Sequence, residues 1–217
     1  IFAGDWLLIA ALRRVRTSRV PGAVDRLLDV IDTMIIAESL QLEARGRFDT
    51  GPDLWLSVVE GKTAALFRWA LWAGGKAGKL GDVHAEALEQ YGLHLGVAFQ
   101  AVDDVLDLTG DQVATGKALF TDLREGKMTY PLIVALDRDP DLLPVVQKIA
   151  TAEEPAVTEP LRVRVLSSLA ETGAVRDCLN LAQQRVELAH GAIADLPKGP
   201  ALDALVTVAE TAIHRRT

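Results

Sequence analysis

The hydrophobic positions of the chain recur at intervals of three and four residues along almost its whole length. This spacing is typical of helices that bury one face, whereas short alternating runs of apolar and polar residues, which indicate strands, are nearly absent. Proline and glycine interrupt the pattern at several points. The sequence therefore predicts an all-α protein, with helices near residues 3–18, 22–46, 52–76, 84–109, 117–137, 139–151, 156–171, 173–195 and 198–215.

The two longest predicted helices, 22–46 and 84–109, carry apolar residues on more than one face. Such helices suit the centre of a large helical bundle. No Phe, Trp or Tyr follows Tyr130, but no polar linker separates this last third from the rest. We therefore expect residues 1–217 to form a single helical domain. Because Ile1 runs directly into a helical pattern, we also expect this domain to lack its N-terminal helices.

Composition narrows the possible functions. Hydrophobic residues make up 49% of the chain and charged residues 24%, as in an ordinary folded protein. No apolar run approaches the roughly 18 residues that span a bilayer. The single cysteine, Cys178, cannot form an internal disulfide, which favours the cytoplasm. A net charge of -7 argues against nucleic-acid binding. Any anionic substrate must therefore be held locally, by a metal ion or by a few lysines.

An aspartate cluster late in the predicted helix 84–109 is the clearest candidate for chemistry. At about 100° per residue, Asp103, Asp104 and Asp107 fall within about 100° of arc, so three carboxylates share one helix face. In an apolar neighbourhood these groups repel one another unless a cation compensates, and oxygen ligands favour a hard ion such as Mg²⁺. A solvated acidic helix end explains a lone cluster of this kind about as well.

Three lysines bear on the choice between these two interpretations. Lys117 and Lys127 follow the cluster closely in sequence and could close over a diphosphate whose other oxygens lie on the metal. Each of them alone is more commonly a surface charge. Lys62 lies inside an apolar stretch, where a lysine needs an anionic partner.

These pieces, in this order, resemble the trans-prenyl diphosphate synthase family. The resemblance covers nearly the whole chain and rests on the segments Gly4-Asp5-Trp6-Leu7-Leu8, Ala37-Glu38-Ser39-Leu40-Gln41-Leu42, Lys62-Thr63-Ala64-Ala65-Leu66-Phe67, Tyr91-Gly92, Gly96-Val97-Ala98-Phe99-Gln100 and Glu125-Gly126-Lys127 with Thr129 and Pro131. The tail, Ala212-Ile213-His214-Arg215-Arg216, is similar to the ends of bacterial long-chain members such as octaprenyl diphosphate synthase.

The resemblance implies a large bundle of the isoprenoid synthase type with a central apolar cavity. It also implies a prenyltransferase that condenses isopentenyl diphosphate with an allylic prenyl diphosphate, head-to-tail and with trans geometry. The implied ligands of Mg²⁺ are Asp103, Asp104 and Asp107. The implied diphosphate-binding lysines are Lys62, Lys117 and Lys127. Other implied substrate contacts are Thr63, Phe99 and Gln100. The residues expected to be catalytic are Lys62, Thr63, Gln100, Asp103 and Lys117.

The family pattern also implies a homodimer, and a transient membrane contact for product release without a transmembrane segment. Two departures from it matter. The first aspartate-rich motif of the family and the Arg-Arg after it belong upstream of Gly4-Asp5, and the chain starts too late to contain them. A glycine expected just before Asp122 is replaced by Phe120-Thr121, which is expected to alter the loop carrying Lys117.

Beside an all-α structural protein without chemistry, two other functions remain open on this basis. The first is a non-catalytic or regulatory subunit of a heteromeric synthase, which has no need of the retained aspartates and lysines. The second is a terpene cyclase on the same fold, which is less consistent because such enzymes tend to keep the first motif and vary the second.

Overall fold

A computed structural model of the chain describes residues 2–110, 119–151 and 159–215. Within these residues the structure contains helices and no strand, which confirms the all-α prediction. The α-helices are α1 (Phe2–Ser18), α2 (Ala23–Ala44), α3 (Pro52–Val59), α4 (Ala65–Ala77), α5 (Asp82–Thr109), α6 (Thr121–Arg124), α7 (Tyr130–Arg138), α8 (Leu143–Ala150), α9 (Glu159–Thr172), α10 (Ala174–Ala192) and α11 (Pro200–Ile213). A π-helical turn, the π segment (Glu60–Ala64), joins α3 to α4, and a 3₁₀ turn (Pro140–Leu142) precedes α8.

The prediction of one helix over 117–137 is wrong for the described part of that range. Two helices, α6 and α7, replace it, and the chain turns between them at Gly126. Gly126 has a φ of +76°, a left-handed conformation that glycine adopts without a steric penalty from Cβ. A proline in the first turn of α7 then favours a new helix start.

Helix α5 is the central element of the structure, as its apolar faces predict. It packs against α4 on one side and α10 on another. Its buried apolar residues from Leu88 to Val105 belong to the main hydrophobic core, together with side chains of α3, α10 and α11. A second apolar cluster lies around α6, α7, α8 and α9.

The sequence also predicts that α2 buries apolar residues on more than one face, but the structure does not show this. The helix buries only Ala23, Leu27 and Ala37 among the described residues, and its other apolar positions remain exposed. Helix α2 packs on the π segment, α4, α3 and α1, and these contacts leave side chains such as Ile35 and Ile36 exposed. A second apolar face in the sequence of a helix therefore shows which residues could be buried, but it does not show whether a neighbouring element covers them.

A close contact between α5 and the π segment positions the residues discussed below. A Cβ atom on Gly96 of α5 would lie 2.6 Å from the Cα atom of Ala64. Only glycine permits this approach of two backbones. It brings Thr63 of the π segment beside Gln100, one helical turn beyond Gly96. Within the described residues, no helix combines the length and the apolarity needed to cross a membrane.

Candidate active site

A cavity of about 250 Å³ opens between α2, α3, the π segment, α5 and the loop before α7. Its lining falls into three parts, all taken from the residues that border the cavity. The charged rim consists of Lys62, Asp103, Asp122 and Lys127. The polar floor consists of Trp55, Thr63, Gln100 and Asp104. The apolar wall consists of Leu54, Val58, Val59 and Ile133.

Hydrogen bonds connect the whole polar floor. The Thr63 hydroxyl donates to Gln100 Oε1 at 3.0 Å, and Gln100 Nε2 donates to Asp104 Oδ1 at 2.9 Å. The other carboxylate oxygen, Asp104 Oδ2, accepts from the Trp55 indole at 2.7 Å and from the backbone N–H of Tyr130 at 3.1 Å. The Trp55 and Tyr130 rings also pack together, with centroids 5.0 Å apart. Thus Asp104 joins three elements of the fold: α3, α5 and α7.

The Asp104 carboxyl is 2% exposed. Burial raises its pKa to about 7, because removal from water disfavours the charged form more than the three hydrogen bonds favour it, and the Asp122 carboxylate acts in the same direction as burial. The neighbouring Cys178 thiol is buried as well, and its Sγ donates to the carbonyl oxygen of Ala101. Burial, reinforced by the nearby Asp104, raises the thiol pKa.

Asp107 holds the start of α6. Its carboxylate accepts the backbone N–H groups of Thr121 at 3.0 Å and Asp122 at 3.4 Å. Burial, and next the Asp122 charge, raise the pKa of Asp107 to about 6. The residue before Thr121, Phe120, is fully buried and has a φ of +60°, a conformation that disfavours an aromatic side chain. Burial of the Phe120 ring offsets the strain of this conformation.

Both described rim lysines are paired with carboxylates. Lys62 Nζ lies 2.5 Å from Glu38 and 2.6 Å from Gln41 Oε1, which confirms the expectation that this lysine has an anionic partner. Lys127 Nζ lies 2.5 Å from Glu125 and 3.3 Å from Asp122. Burial acts to lower the pKa of Lys127, but these two carboxylates outweigh it and raise that pKa.

The described residues do not assemble the expected three-carboxylate metal site. No group of three or more His, Cys, Asp or Glu side chains among them lies close enough to hold an ion. Asp104 is turned inward and satisfied by its donors, whereas Asp103 lines the cavity and receives no hydrogen bond from the described residues. Mg²⁺ commonly takes only one or two carboxylates when phosphate oxygens and water complete its shell. Asp103 borders the cavity and could take part in such a site, whereas Asp107 does not border it and its two oxygens already accept backbone N–H groups, so its role as a ligand stays a prediction.

The structure therefore brings most of the predicted residues to one cavity. Lys62, Thr63, Gln100, Asp103 and Lys127 all line it. Lys117 lies outside the described residues. Phe99 lies elsewhere: its ring packs 5.7 Å from that of Phe67 and 3.9 Å from the Arg215 guanidinium, and it does not border the cavity. Its contact with substrate stays a prediction.

Sequence reasoning missed several residues of this site. Trp55 was not singled out, although a buried indole N–H normally requires an acceptor and so points to a polar partner. The hydroxyls of Thr50 and Thr129 also border the cavity, and neither has a hydrogen-bond partner among the described residues. The π segment was missed too, because its sequence is compatible with an ordinary α-helix. Such turns occur frequently at functional sites.

Comparison with known proteins identifies the family. Residues 1–163 match the family model described as polyprenyl synthetase. The chain is 34% identical over 214 residues to an all-trans-nonaprenyl-diphosphate synthase of Rhodobacter capsulatus, covering 90% of the chain and 63% of that protein. It is 28% identical over 216 residues to the octaprenyl diphosphate synthase of Escherichia coli, covering 99% of the chain and 66% of that protein.

A solved structure shows the same architecture. A polyprenyl synthase from Caulobacter crescentus, crystallised with calcium and isoprenyl diphosphate, superposes with a TM-score of 0.91 at 31% identity and covers 100% of this chain. The chain spans 66% of that structure, and about two thirds or less of the relatives named above. The family match, the sequence identity and the shared fold agree: this chain belongs to the polyprenyl synthetase family.

Proposed function

We propose that the protein is a trans-prenyl diphosphate synthase, which condenses isopentenyl diphosphate with an allylic prenyl diphosphate head-to-tail. The observation that carries this proposal is the composition of the cavity. Lysines and carboxylates of the charged rim adjoin an oxygen-bearing polar floor and an apolar wall. The names of the relatives support the same activity. No observation on the described residues favours a non-catalytic subunit.

The charged rim provides the diphosphate site. Lys62 and Lys127 now pair with Glu38 and Glu125, whose side chains are 46% and 49% exposed. Ion pairs with exposed partners are weak, so both lysines can exchange a glutamate for a more highly charged diphosphate at little cost. Asp103, together with the predicted ligand Asp107, would hold Mg²⁺, which would supply positive charge to neutralise the leaving diphosphate.

The floor and the wall provide the site for the hydrocarbon. When the allylic C–O bond breaks, its electron pair leaves with the diphosphate, and a carbocation remains. The dipoles of the Thr63 and Gln100 oxygens would stabilise this positive charge. The apolar wall residues would keep water away from it. The double bond of isopentenyl diphosphate then supplies the pair for the new C–C bond. Loss of a proton restores a double bond, and pyrophosphate is released.

The Asp103→Ala substitution tests this proposal in the whole protein that contains the chain. We expect isopentenyl incorporation into an allylic primer to fall by about 100-fold or more, while the free energy of unfolding stays unchanged. Asp29→Ala, an exposed aspartate of α2, is the matched control and should keep full activity. In thermal unfolding, Mg²⁺ with pyrophosphate should raise the Tm of the wild type and not of Asp103→Ala. Unchanged turnover in Asp103→Ala would sink the proposal.

We further propose that the chain forms one domain and acts as a cytoplasmic homodimer. Exposed apolar side chains on α1 and α2, notably Phe2, Trp6, Ile35 and Ile36, support contact with a second copy. The single cysteine is a buried free thiol, in keeping with a reducing compartment. Sedimentation analysis of the whole protein decides the oligomeric state, and a monomer at assay concentration would exclude the dimer.

A further inference from the structure

We propose that Asp104 is a positioning residue and not a ligand of the metal. It fixes the side-chain amide of Gln100 so that Oε1 faces Thr63, and it holds the chain that carries Lys127 against the cavity through the backbone of Tyr130. The inference rests on the proposed function for its kinetic readout, but its binding and stability readouts are independent of that function.

The bonding capacity of the Asp104 carboxylate is the first argument. A carboxylate only accepts hydrogen bonds. Asp104 receives three N–H donors, one from a side chain of α3, one from a side chain of α5 and one from the first backbone amide of α7. It borders the cavity but is only 2% exposed, and its contacts with these donors leave little of it open to an ion there. Removal of any one donor would leave a buried acceptor incompletely satisfied.

The polarity of the Gln100 amide is the second argument. An amide has a donor end and an acceptor end, and the neighbours decide which way it points. In its ionised form Asp104 can only accept, so the NH₂ group of Gln100 faces it, at 2.9 Å. Oε1 is then left for the Thr63 hydroxyl, which donates to it at 3.0 Å. Asp104 thereby determines that oxygen lone pairs, and not N–H groups, are available at the floor of the cavity.

The position of Lys127 is the third argument. Tyr130 is the first residue of α7, three positions after Lys127, and its N–H is bonded to Asp104 Oδ2 at 3.1 Å. The packing of the Tyr130 ring on Trp55 reinforces this anchor. One buried carboxylate thus connects the floor residues to the segment that carries a rim lysine.

Asp103 serves as the internal comparison, since it is the adjacent residue of the same helix. One residue of an α-helix turns the side chain by about 100°. That rotation places Asp103 in the charged rim of the cavity and Asp104 in its buried floor, among the packed helices. The two aspartates should therefore respond differently to the same substitution.

The Asp104→Asn variant removes the acceptor that Gln100 needs. The Asn oxygen is retained by the Trp55 and Tyr130 donors, so its NH₂ group faces Gln100. The Gln100 amide must then turn, which points its NH₂ group at Thr63. We expect kcat to fall on the order of 100-fold, with the KM for isopentenyl diphosphate and the half-saturating Mg²⁺ concentration within about threefold of the wild type. Asp103→Asn, in contrast, should raise the Mg²⁺ requirement at least about tenfold.

A second substitution, Gln100→Glu, should restore the hydrogen-bond pattern of the polar floor. In the double variant Asp104→Asn with Gln100→Glu, one glutamate oxygen accepts from the asparagine NH₂ group and the other from the Thr63 hydroxyl. Net charge is unchanged. We expect kcat to recover at least about tenfold relative to Asp104→Asn. The unfolding midpoint should also return toward that of the wild type, because residues that contact each other have non-additive effects on stability. Gln100→Glu alone, which places two carboxylates face to face, should lower that midpoint.

Calorimetric titration with Mg²⁺ and pyrophosphate provides the readout without turnover. Asp104→Asn should bind within about threefold of the wild type, and Asp103→Asn should lose most of the binding. A tenfold or larger loss of binding in Asp104→Asn, or no recovery of stability in the double variant, overturns the inference. If Asp104→Asn does not fold, the folding and activity of the double variant decide. A wild type that binds but transfers no isopentenyl group would contradict the proposed function and leave the positioning test intact.

Discussion

The polar floor and the charged rim of the same cavity hold their polar groups in opposite ways. On the floor, Asp104 is buried, and each of its oxygens receives a hydrogen bond from a different part of the fold. At the rim, Lys62 and Lys127 pair with glutamates that are about half exposed. The floor is fixed by the packing of the helices around it, whereas the rim can change partners.

This difference suits two kinds of interaction. Groups that stabilise a short-lived charge work best when they are oriented in advance, because no reorganisation is then needed at the moment of reaction. Groups that bind and release a diphosphate must give up one set of ion pairs for another, and weak exposed pairs make that exchange easy. Substitutions at the floor should therefore reduce stability, while substitutions at the rim should alter it little.

The Gly96→Val substitution should have the largest effect. A Cβ atom at Gly96 would lie 2.6 Å from backbone of the π segment, so α5 must move away from Thr63 and the floor must open. We expect the free energy of unfolding to fall by about 3 kcal/mol. Urea denaturation measures it. Gly74→Ala is the matched control, because Gly74 is a helical glycine with open space around it, and it should be neutral or slightly stabilising. Equal stability of the two variants would contradict a close-packed floor.

The Trp55→Phe substitution should have an intermediate effect. It keeps an aromatic ring in α3 but removes the N–H that bonds to Asp104 Oδ2 at 2.7 Å. A buried acceptor that loses a donor costs about 1–3 kcal/mol of unfolding free energy. Trp6→Phe, at a tryptophan that is 69% exposed, should change stability by less than about 0.5 kcal/mol. If thermal and urea denaturation show the same small change in both variants, the floor is less rigid than its hydrogen bonds indicate.

The Glu125→Gln substitution at the rim should have the smallest effect, and one that depends on pH. The hydrogen bond and the charge of Lys127 lower the pKa of Glu125 below its ordinary value of 4.5. Ionised Glu125 therefore stabilises the fold above pH 4.5, and this contribution disappears as pH falls through the lower, folded-state pKa. Because the pair is exposed, we expect only about 0.3 kcal/mol at pH 7 and no difference between variant and wild type near pH 3. A difference that grows on acidification would contradict this sign.

The sequence predicted the helical architecture well because helix periodicity is a local property. The long apolar segment 84–109 became the central helix α5, and the breakers placed most of the other bounds. The predictions that failed concern features that depend on packing between distant parts of the chain. The left-handed turn at Gly126 divides the predicted helix 117–137, and the exposed second face of α2 could not be recognised from α2 alone.

The sequence by itself also predicted part of the cavity lining, because the order of its motifs resembles one family, although it missed Trp55 and included Phe99, which does not border the cavity. It placed Lys62, Thr63, Gln100, Asp103 and Lys127 together, and all five line the cavity. Only the tertiary structure decided what each of them touches. Glu38 lies opposite Lys62, and Trp55 opposite Asp104, because helices distant in sequence pack side by side.

The two adjacent aspartates show the limit of the sequence most clearly. Periodicity places Asp103 and Asp104 about 100° apart on one helix, and it treats them as members of a single acidic face. The helices that pack on α5 cover one of these directions and leave the other open. Asp104 is therefore enclosed by donors from α3 and α7 in the floor of the cavity, while Asp103 lies at its rim. The direction in which a helix meets its neighbours is a property of the whole fold, and no local pattern contains it.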